Sequence, residues 1–332
     1  MPSAAIVGLG RIGFGFSLDA KRRGVWTHAA AWRRSGAARL AGAVDVDPAR
    51  RRAFAAAHCD ATAYPSLAAL LKSGVPEVLS VCTPTDTHLR FVRQAAEAGV
   101  KSILCEKPIA ASTTEAAAMI RACRRQATVL AVNHTRRWEA AYVRARDIVR
   151  RGRMGRVRSV SARYPGEIFN VGTHLIDAIR MVSGLDPVTA IGRSPDPVAA
   201  DPHVSGFLVL DSGAAAVLAC HGAPRDLLFE IDVVGSAGRL RLIENGRKTT
   251  LELFRASPRY SGYREPRRAP LKPASGGDRF IAAVRDAAAA ARDRRRRPSC
   301  TGEDGFAALA AAEALAASAR DGGRPKAVRK LS

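Results

Sequence analysis

Residues 8–13 read Gly-Leu-Gly-Arg-Ile-Gly and follow the first apolar stretch of the chain. In this pattern the first glycine allows a tight turn, the second lets the backbone approach a pyrophosphate, and the third allows close helix packing. The N-terminus of the following helix adds the positive end of its dipole. Glycine-rich turns without a ligand are common, but this one follows a predicted strand. We therefore expect dinucleotide contacts from Gly8, Gly10, Arg11, Ile12 and Gly13.

Asp45 closes the second apolar stretch of the chain. A carboxylate at this place binds the adenosine ribose hydroxyls and repels a 2′-phosphate, so Asp45 predicts NAD in preference to NADP. The three arginines at positions 50–52 leave the binding of a phosphate open. Asp45 also fits a simple turn, because the residues that follow it form a good turn and helix cap.

The distance from Gly8 to Asp45 is longer than the ~20 residues usual for this pattern. We therefore expect an insertion over Phe14–Trp26. One interpretation is a loop beside the cofactor crevice that contacts substrate through Asp19, Lys21 or Arg22. The other is a surface excursion.

Strand-like and helix-like stretches alternate through the N-terminal part of the chain. Strands are predicted at Ala4–Val7, Arg39–Asp45, Glu77–Cys82 and Val100–Cys105, and helices at Ala29–Ser35, Pro48–His58, His88–Ala98 and Thr113–Arg125. Asp47 is placed to cap the second of these helices. The alternation predicts an α/β fold with a Rossmann domain over residues 1–125, a doubly wound parallel sheet with helices on both faces.

The pattern changes after residue 125. One more strand is predicted at Thr128–Val132 and a helix at Ala140–Arg151; the strand-like runs that follow are Val157–Ala162, Phe207–Leu210, Ala214–Cys220, Phe229–Val234 and Arg239–Leu242. A helix over His174–Val182 interrupts them. Residues 255–278 are predicted as a loop, and residues 278–292 and 305–320 as helices. This order predicts an α+β domain over residues 126–332, with a large mixed or antiparallel sheet.

Three more stretches become recognisable when they are taken together. Residues 82–88 read Cys-Thr-Pro-Thr-Asp-Thr-His, residues 95–99 read Ala-Ala-Glu-Ala-Gly, and residues 105–108 read Cys-Glu-Lys-Pro. With the glycine pattern, they resemble the glucose-fructose oxidoreductase / inositol dehydrogenase / rhizopine catabolism (Gfo/Idh/MocA) family. The likeness covers nearly the whole chain, because residues 133–138, 152–155, 234–238 and 302–305 also fit. The combined pattern is specific to the family but not to a substrate.

The resemblance implies roles for residues around the Glu-Lys-Pro motif. Lys107 reaches the substrate beside the nicotinamide, where a like charge would lower the pKa of its ammonium and let it help move a hydroxyl proton. Glu106 sets the strand end and counts with Lys107 among the cofactor contacts. Thr83, Pro84 and His88 lie along the cofactor, near the carboxyl end of a strand. Without the resemblance, Lys107 would be an ordinary surface lysine.

Residues 170–177 read Asn-Val-Gly-Thr-His-Leu-Ile-Asp, against the family pattern D-x-G-x-H-x-x-D. The resemblance makes His174 the general base that takes the hydroxyl proton as hydride leaves carbon. Asn170 stands where the family usually has Asp; it can hold a substrate hydroxyl but carries no proton at neutral pH, which puts the proton relay in question. Asp177 is expected to lie at the substrate site with His174, where it could orient the imidazole. The alternative is a helix-surface or interface carboxylate.

Further substrate contacts are expected from Asn133, Arg137, Trp138 and Tyr164, on their location in the sequence. For the two aromatic residues, core packing is an equal alternative. No third ligand is spaced to complete a zinc site with the histidine and aspartate of the family pattern, so no metal is expected.

Composition narrows the class of partner. Lys and Arg number 53 against 30 Asp and Glu, a formal net charge of +23, which leaves an anionic substrate open. No helix-turn-helix or zinc-finger pattern presents these charges, so no specific nucleic-acid partner is expected. No apolar run reaches the ~18–20 residues of a membrane helix, and the N-terminus does not resemble a signal peptide. The six cysteines are scattered, which favours buried, reduced thiols in a cytoplasmic protein.

These features predict hydride transfer between NAD and a carbinol carbon of a sugar, cyclitol or derivative. Two alternatives stay open. One is a sensor or regulatory protein that binds NAD(H) and a sugar without net chemistry, which Asn170 favours. The other is an internal redox cycle with elimination, as in some glycosidase members of the family. The resemblance also implies a homodimer or homotetramer formed through the open face of the second sheet.

Overall fold

The computed structural model describes residues 1–223 and 226–331. They form two compact units. The first comprises Met1–Trp138 and Gly277–Phe306, and the second comprises Glu139–Gly276 and the described residues from Ala307 onward. Each unit is built around its own sheet.

The sheet of the first unit has six parallel strands: β1 (Ser3–Val7), β2 (Arg39–Val44), β3 (Thr62–Tyr64), β4 (Val78–Val81), β5 (Ser102–Cys105) and β6 (Val129–Val132). Their order is β3-β2-β1-β4-β5-β6. Every residue of β4 and β5 is buried, as expected for a parallel sheet that is covered on both faces. The predicted doubly wound sheet is confirmed, and its strand order reverses beside β1, where ligands bind in this architecture.

Helices α1 (His28–Ser35), α2 (Pro48–Ala57), α3 (Leu67–Ser73), α4 (His88–Glu97) and α5 (Thr113–Arg125) connect these strands. The predicted cap of α2 is confirmed, because the carboxylate of Asp47 accepts from Ala49 N at 2.7 Å. The sequence interpretation missed β3 and α3. Both are short, and such segments carry too little periodicity to be distinguished from loops.

The second unit contains a nine-stranded mixed sheet. Its strands are β7 (Val157–Tyr164), β8 (Pro187–Arg193), β9 (Ser205–Leu210), β10 (Ala215–Cys220), β11 (Glu230–Gly235), β12 (Gly238–Ile243), β13 (Lys248–Ala256), β14 (Arg264–Arg268) and β15 (Lys326–Ala327). The order is β14-β13-β12-β11-β7-β10-β9-β8-β15, and within the described part of this sheet only β7 and β10 pair in parallel. This confirms the predicted mixed sheet.

Among the described residues, four α-helices follow β6: α6 (Ala140–Arg150), α7 (Thr173–Ser183), α8 (Arg279–Arg292) and α9 (Gly302–Arg320). Helices α6 and α7 and the C-terminal part of α9 supply apolar residues to the core of the second unit. Helix α8 instead belongs to the first unit, where it contacts α1 and the strands β4, β5 and β6. The first unit therefore includes β6 and α8, which both lie beyond residue 125.

The predicted loop over residues 255–278 is wrong in part. Arg264–Arg268 form β14, which pairs antiparallel with β13 at the edge of the sheet. Its five residues are three arginines, one glutamate and one proline, and all but Glu265 are exposed to solvent. Charged residues and proline protect an edge strand from pairing with other chains, but they also remove the apolar alternation by which a strand is predicted from sequence.

Among the described helices, none combines the length and the apolar character that spanning a membrane requires. All six cysteines are free thiols; Cys59 is exposed, contrary to the expectation of burial.

Candidate functional site

The glycine pattern forms the turn that leaves β1. Gly8 has a φ of +93°, and a Cβ added there would lie 2.7 Å from the carbonyl carbon of Cys82. A Cβ at Gly13 would lie 2.0 Å from the carbonyl oxygen of Gly8. A Cβ at Gly10 would meet nothing within 4 Å. Gly8 and Gly13 therefore shape the turn, whereas Gly10 borders open space.

The same turn presents unpaired backbone donors. Among the described residues, no group accepts a hydrogen bond from the backbone N–H of Gly10, Arg11, Ile12 or Gly13. The carbonyl oxygen of Gly10 accepts from Phe14 N and Gly15 N at 3.1 and 2.8 Å, so the turn has helical character. Its first N–H groups remain open, as at any helix N-terminus. Four adjacent donors of this kind form a site for an anion such as a pyrophosphate.

Helix α1 does not itself supply these donors, which corrects the expectation from the sequence. Residues 14–27 leave the helical path, and His28 N then donates to Ile12 O at 3.0 Å. Ala29 N donates to Gly13 O at 3.0 Å. The first N–H groups of α1 are therefore used by the turn.

The inserted residues form a surface excursion. It contains a short 3-10 helix, Gly15–Leu18, and is anchored at its base by a 2.6 Å hydrogen bond between the hydroxyls of Ser17 and Thr27. Asp19 and Arg22 are exposed and pair with each other at 3.2 Å. Lys21 is also exposed. This geometry favours the surface interpretation over a contact with substrate.

Asp45 lies directly beside the glycine-rich turn. Its Oδ2 accepts from Leu9 N at 2.7 Å, and its Oδ1 accepts from Asp47 N at 2.9 Å. Two neighbouring arginines contact Asp45: Arg50 Nη1 is 3.6 Å from Asp45 Oδ2, and Arg51 Nη1 donates to the carbonyl oxygen of Asp45 at 2.8 Å. A buried carboxylate therefore occupies the place where the adenosine ribose binds in this architecture.

A buried polar network lies behind the Glu-Lys-Pro motif. Glu106 Oε1 is 2.9 Å from His28 Nε2 and accepts from Asn133 Nδ2 at 2.6 Å, while Oε2 accepts from Lys107 N at 3.2 Å. His28 Nδ1 is 3.0 Å from Ser80 Oγ, which also accepts from the indole N–H of Trp32 at 2.9 Å. The network joins α1, β4, β5 and the end of β6. It fixes the backbone at Lys107.

The surroundings of Glu106 keep it ionised. Burial by itself would raise the pKa of this carboxyl, but the hydrogen bonds from His28 and Asn133 outweigh it and hold the pKa below its ordinary value. Lys107 adds a further attraction to the ionised form. The sequence identified Glu106 as the residue that sets the strand end, and the structure adds the three donors that hold it as a carboxylate.

The segments after β4 and β5 lie side by side because the two strands are parallel neighbours. Thr83 and Lys107 are half-buried and Pro84 is exposed. His88 is buried, and its ring nitrogens face the carbonyl oxygens of Thr83 at 3.0 Å and of Pro108 at 3.1 Å. His88 therefore links the segments after β4 and β5 through its contacts with their carbonyl oxygens. This placement favours a structural role for His88 over the predicted contact with a cofactor.

Asn133 is 1% exposed, which places it inside the network and not on an open substrate surface. Its amide nitrogen is engaged by Glu106, while its Oδ1 has no hydrogen-bond partner among the described residues. The position of Asn133 after a strand places it near the Glu-Lys-Pro motif. The sequence could not show that its side chain is directed at Glu106 and not toward solvent.

Arg137 and Trp138 both make contacts within the first unit. Arg137 Nη2 pairs with Asp304 Oδ1 at 3.0 Å, and Nη1 donates to Ser299 O at 3.0 Å. The indole N–H of Trp138 donates to Asp286 Oδ2 at 3.0 Å. These bonds fasten the segment after β6 to the α8–α9 region. They favour a structural role for both residues, against the expected substrate contacts.

The family pattern of the second unit follows β7. Asn170 is the exposed residue of a π-helical turn, Ile168–Gly172, which leads directly into α7. His174 is half-buried in the first turn of α7, and Asp177 is fully buried one turn later. Arg180 Nη1 is 3.9 Å from Asp177 Oδ1. The helix-surface interpretation of Asp177 is therefore wrong.

Two carboxylates that the sequence interpretation missed flank Asn170. Glu167 Oε2 accepts from Asn170 Nδ2 at 3.2 Å. Asp201 accepts from Phe169 N at 2.8 Å and from Asn170 N at 3.0 Å. Glu167 could have been noticed as an acid three residues before the altered position. Asp201 has no such signal, because only the folded sheet brings residues 201 and 170 together.

Tyr164 ends β7 and is fully buried. Its hydroxyl donates to Val204 O at 2.5 Å, and burial raises its pKa far above the ordinary value. These contacts support the packing alternative over a contact with substrate.

Comparison with known proteins places the chain in a family. Residues 3–134 match GFO_IDH_MocA, the oxidoreductase family with an NAD-binding Rossmann fold. The chain is 30% identical over 324 residues to inositol 2-dehydrogenase of Rhizobium meliloti, a match that covers 86% of this chain and 91% of that protein. The chain therefore belongs to the Gfo/Idh/MocA family.

Two further relatives give the breadth of the likeness. The chain is 29% identical over 239 residues to D-apiose dehydrogenase of Paraburkholderia graminis, covering 65% of this chain and 64% of that protein. Its fold matches aldose-aldose oxidoreductase from Caulobacter crescentus, solved in complex with glycerol, with a TM-score of 0.78. That match has 22% identity over 98% of this chain and 99% of the other, and it shows a shared fold.

Proposed function

We propose that this protein is an NAD(P)-dependent oxidoreductase that transfers a hydride between the nicotinamide and a carbinol carbon of a sugar, cyclitol or sugar derivative. The observation that carries the proposal is the turn at residues 10–13, with four unpaired N–H groups around an open glycine position. A dinucleotide pyrophosphate satisfies such donors. Membership of a family with dehydrogenase relatives supports the reaction class.

The residues of the first unit fit the cofactor. The turn at residues 10–13 holds the pyrophosphate, Asp45 holds the adenosine ribose, and Thr83 and Pro84 lie along the bound molecule. When bound, the nicotinamide ring supplies the chemistry of hydride acceptance and donation. Lys107, held at its backbone by Glu106, binds the substrate hydroxyl and relays its proton.

The second unit supplies the remaining groups. His174 acts as general base in oxidation and general acid in reduction, taking or returning the hydroxyl proton. Asn170 holds a neighbouring hydroxyl through its carboxamide. The buried carboxylate of Asp177, three residues after His174, orients the imidazole from inside α7. No metal is assigned a part in this reaction.

The cofactor is NAD in preference to NADP. The carboxylate of Asp45 lies beside the glycine-rich turn, where it repels a 2′-phosphate. Arg50 and Arg51, which offered an alternative, are directed at the Asp45–Asp47 turn. Their positions support the same preference.

The direct test is reduction of NAD⁺ by the purified protein with a panel of sugars, cyclitols, sugar phosphates and nucleotide sugars, followed by absorbance of the reduced nicotinamide. We expect reduction with one class of polyhydroxylated substrate. If NAD⁺ binds but no compound in a broad panel is oxidised, the dehydrogenase proposal fails.

Asn170 favours a second candidate function, since the family usually has an acid at this position. In that case the protein binds NAD(H) and a sugar as a sensor, or cycles a tightly held NAD during elimination. Substrate conversion without net formation of reduced nicotinamide identifies the internal cycle. Binding without any conversion identifies the sensor, and gain of turnover in Asn170→Asp then identifies a decayed site.

The open face of the second sheet supports a homo-oligomer. Ile191, Phe207 and Val217 are register neighbours on β8, β9 and β10, and Val217 is 48% exposed. An apolar row on a sheet face is typical of a protein interface. Light scattering tests this: we expect a dimer or tetramer in wild type and a smaller species in Val217→Glu.

A further inference from the structure

Glu167 and Asn170 form a pair on the turn between β7 and α7. The Asn170 Nδ2 group donates to Glu167 Oε2 at 3.2 Å. Within the described chain, the Glu167 carboxylate makes no other hydrogen bond or ion pair. A carboxylate has about four acceptor positions, so most of this capacity is unused. The side chain is half-buried and thus partly shielded from water.

The second carboxylate, Asp201, has a different task. Both of its oxygens accept backbone N–H groups, from Phe169 and from Asn170. It therefore closes the first turn of the π-helix and fixes the position of Asn170. Of the two carboxylates, Glu167 is the one that retains acceptor sites for a ligand.

The location of the pair connects it to the general base. Because β7 and β10 are parallel neighbours, the segments that follow them leave the same edge of the sheet. The pair lies on the segment after β7, and His174 follows Asn170 by four residues in the same helical stretch. Glu167, Asn170 and His174 therefore belong to one continuous element.

We propose that Glu167 is a substrate-binding residue that supplies the carboxylate absent at position 170, and that the Glu167–Asn170 pair selects a neutral or amino-bearing polyhydroxylated substrate over an acidic one. This inference rests on the proposed function. The ionised carboxylate accepts from hydroxyl or ammonium donors in charge-assisted hydrogen bonds. It repels a carboxylate or phosphate at the same place. The local chemistry thus opposes the anionic substrate that the net charge of +23 leaves open.

The test measures ligand binding to the NAD⁺-loaded protein by titration calorimetry, with myo-inositol, glucose, glucosamine and glucuronate as probes. The variants are Glu167→Gln, the double variant Glu167→Gln/Asn170→Asp, and Glu244→Gln as a control on an exposed turn of the same unit. The double variant carries one carboxylate again, with acid and amide exchanged. Binding is read independently of turnover, so failure of hydride transfer leaves this test intact.

We expect wild type to bind a neutral or amino probe at least about tenfold more tightly than glucuronate. Glu167→Gln should weaken the best probe roughly 10–100-fold, the range for loss of a hydrogen bond to a charged group. The double variant should recover most of that loss, which a merely structural role would not allow, and Glu244→Gln should match wild type. Unchanged binding in Glu167→Gln, no recovery in the double variant, preference for glucuronate, or no binding of any probe would each overturn the proposal.

Discussion

Glu106 is a buried carboxylate that hydrogen-bonds the backbone of the lysine assigned to the substrate. Its three donors come from β5, from the start of α1 and from the end of β6. Because these elements are fixed by the first sheet, the position of Lys107 is set by the fold and not by the local chain. The Glu-Lys-Pro motif thus places Lys107 through the contacts of Glu106 with three elements of the fold.

Glu106→Gln should destabilise the first unit by about 1–3 kcal/mol, because one of the two carboxylate oxygens that accept from buried donors is replaced by an amide NH2 group, which cannot accept. Since the folded pKa of Glu106 is lowered, its contribution is fully present above the ordinary value of 4.5 and is lost as pH falls through the folded pKa. Denaturant unfolding at pH 7 and at pH 3 checks both statements. Glu97→Gln, on the surface of α4, should cost less than about 1 kcal/mol. If the free energies of unfolding of wild type and Glu106→Gln differ more at pH 3 than at pH 7, the assignment is contradicted.

Asp45→Ser should shift the ratio of kcat/KM for NAD⁺ and NADP⁺ toward NADP⁺ by about tenfold or more. The change removes the carboxylate that repels the 2′-phosphate and leaves Arg50 to attract it. Parallel steady-state assays with the two cofactors measure the ratio. Asp47→Asn is the matched control, because it keeps an oxygen to cap α2 and should leave the ratio nearly unchanged. If the ratio of kcat/KM for the two cofactors is unaltered in Asp45→Ser, Asp45 does not determine the cofactor preference.

Residue identities could be predicted where a motif fixes both type and place. The glycines, Asp45 and Lys107 lie after the ends of β1, β2 and β5, as their motifs predict. Burial could not be predicted, and for Asn133, His88 and Tyr164 it favours internal contacts over the expected ligand contacts. Glu167 was missed because it lies three residues before the stretch 170–177, to which the comparison with the family pattern was confined.

At the scale of elements, the excursion at residues 14–27 changes how the crevice is built. A helix that directly follows the glycine pattern would present its own first N–H groups. Here α1 begins at His28 and its first donors are used by Ile12 and Gly13. The turn at residues 10–13 remains as the separate anion site.

Gly10→Ala and Gly13→Ala form a matched pair that tests this description. Gly10 has no positive φ, and an added Cβ meets open space, so Gly10→Ala should keep its stability within about 1 kcal/mol. It should still weaken NAD⁺ binding roughly tenfold, because the side chain enters the space of the pyrophosphate. Gly13→Ala should instead destabilise the fold by at least about 1–3 kcal/mol, since its Cβ would lie 2.0 Å from Gly8 O. Calorimetric binding and thermal unfolding separate the two effects; equal NAD⁺ affinity in wild type and Gly10→Ala contradicts the site.

Elements with strong local signals could be predicted closely. Helix α5 spans the predicted Thr113–Arg125, where Ser112 caps the first turn. The polar edge strand β14 and the three-residue β3 could not, because their pairing depends on neighbours distant in sequence. The excursion after Gly13 was anticipated as an insertion, but its effect on the donors of α1 required the folded geometry.

At the scale of the whole molecule, the proposed chemistry is divided between two units. The first carries the cofactor turn, Asp45 and Lys107, and the second carries Asn170, His174 and Glu167. The net charge of +23 is a property of the whole surface and does not describe the carboxylate-rich turn beside His174. Composition therefore predicts little about substrate charge, and the proposed preference for a neutral or amino-bearing substrate rests on the local turn.

The central claim is that His174 is the proton-transfer residue of the proposed nicotinamide-dependent reaction. The most direct measurement compares kcat of wild type and His174→Ala at saturating NAD⁺, with the substrate that the panel identifies. The account predicts a fall in kcat of roughly 10²–10⁴-fold with the affinity for NAD⁺ unchanged. Unchanged turnover in His174→Ala would contradict it, because the proton would then be carried by another group.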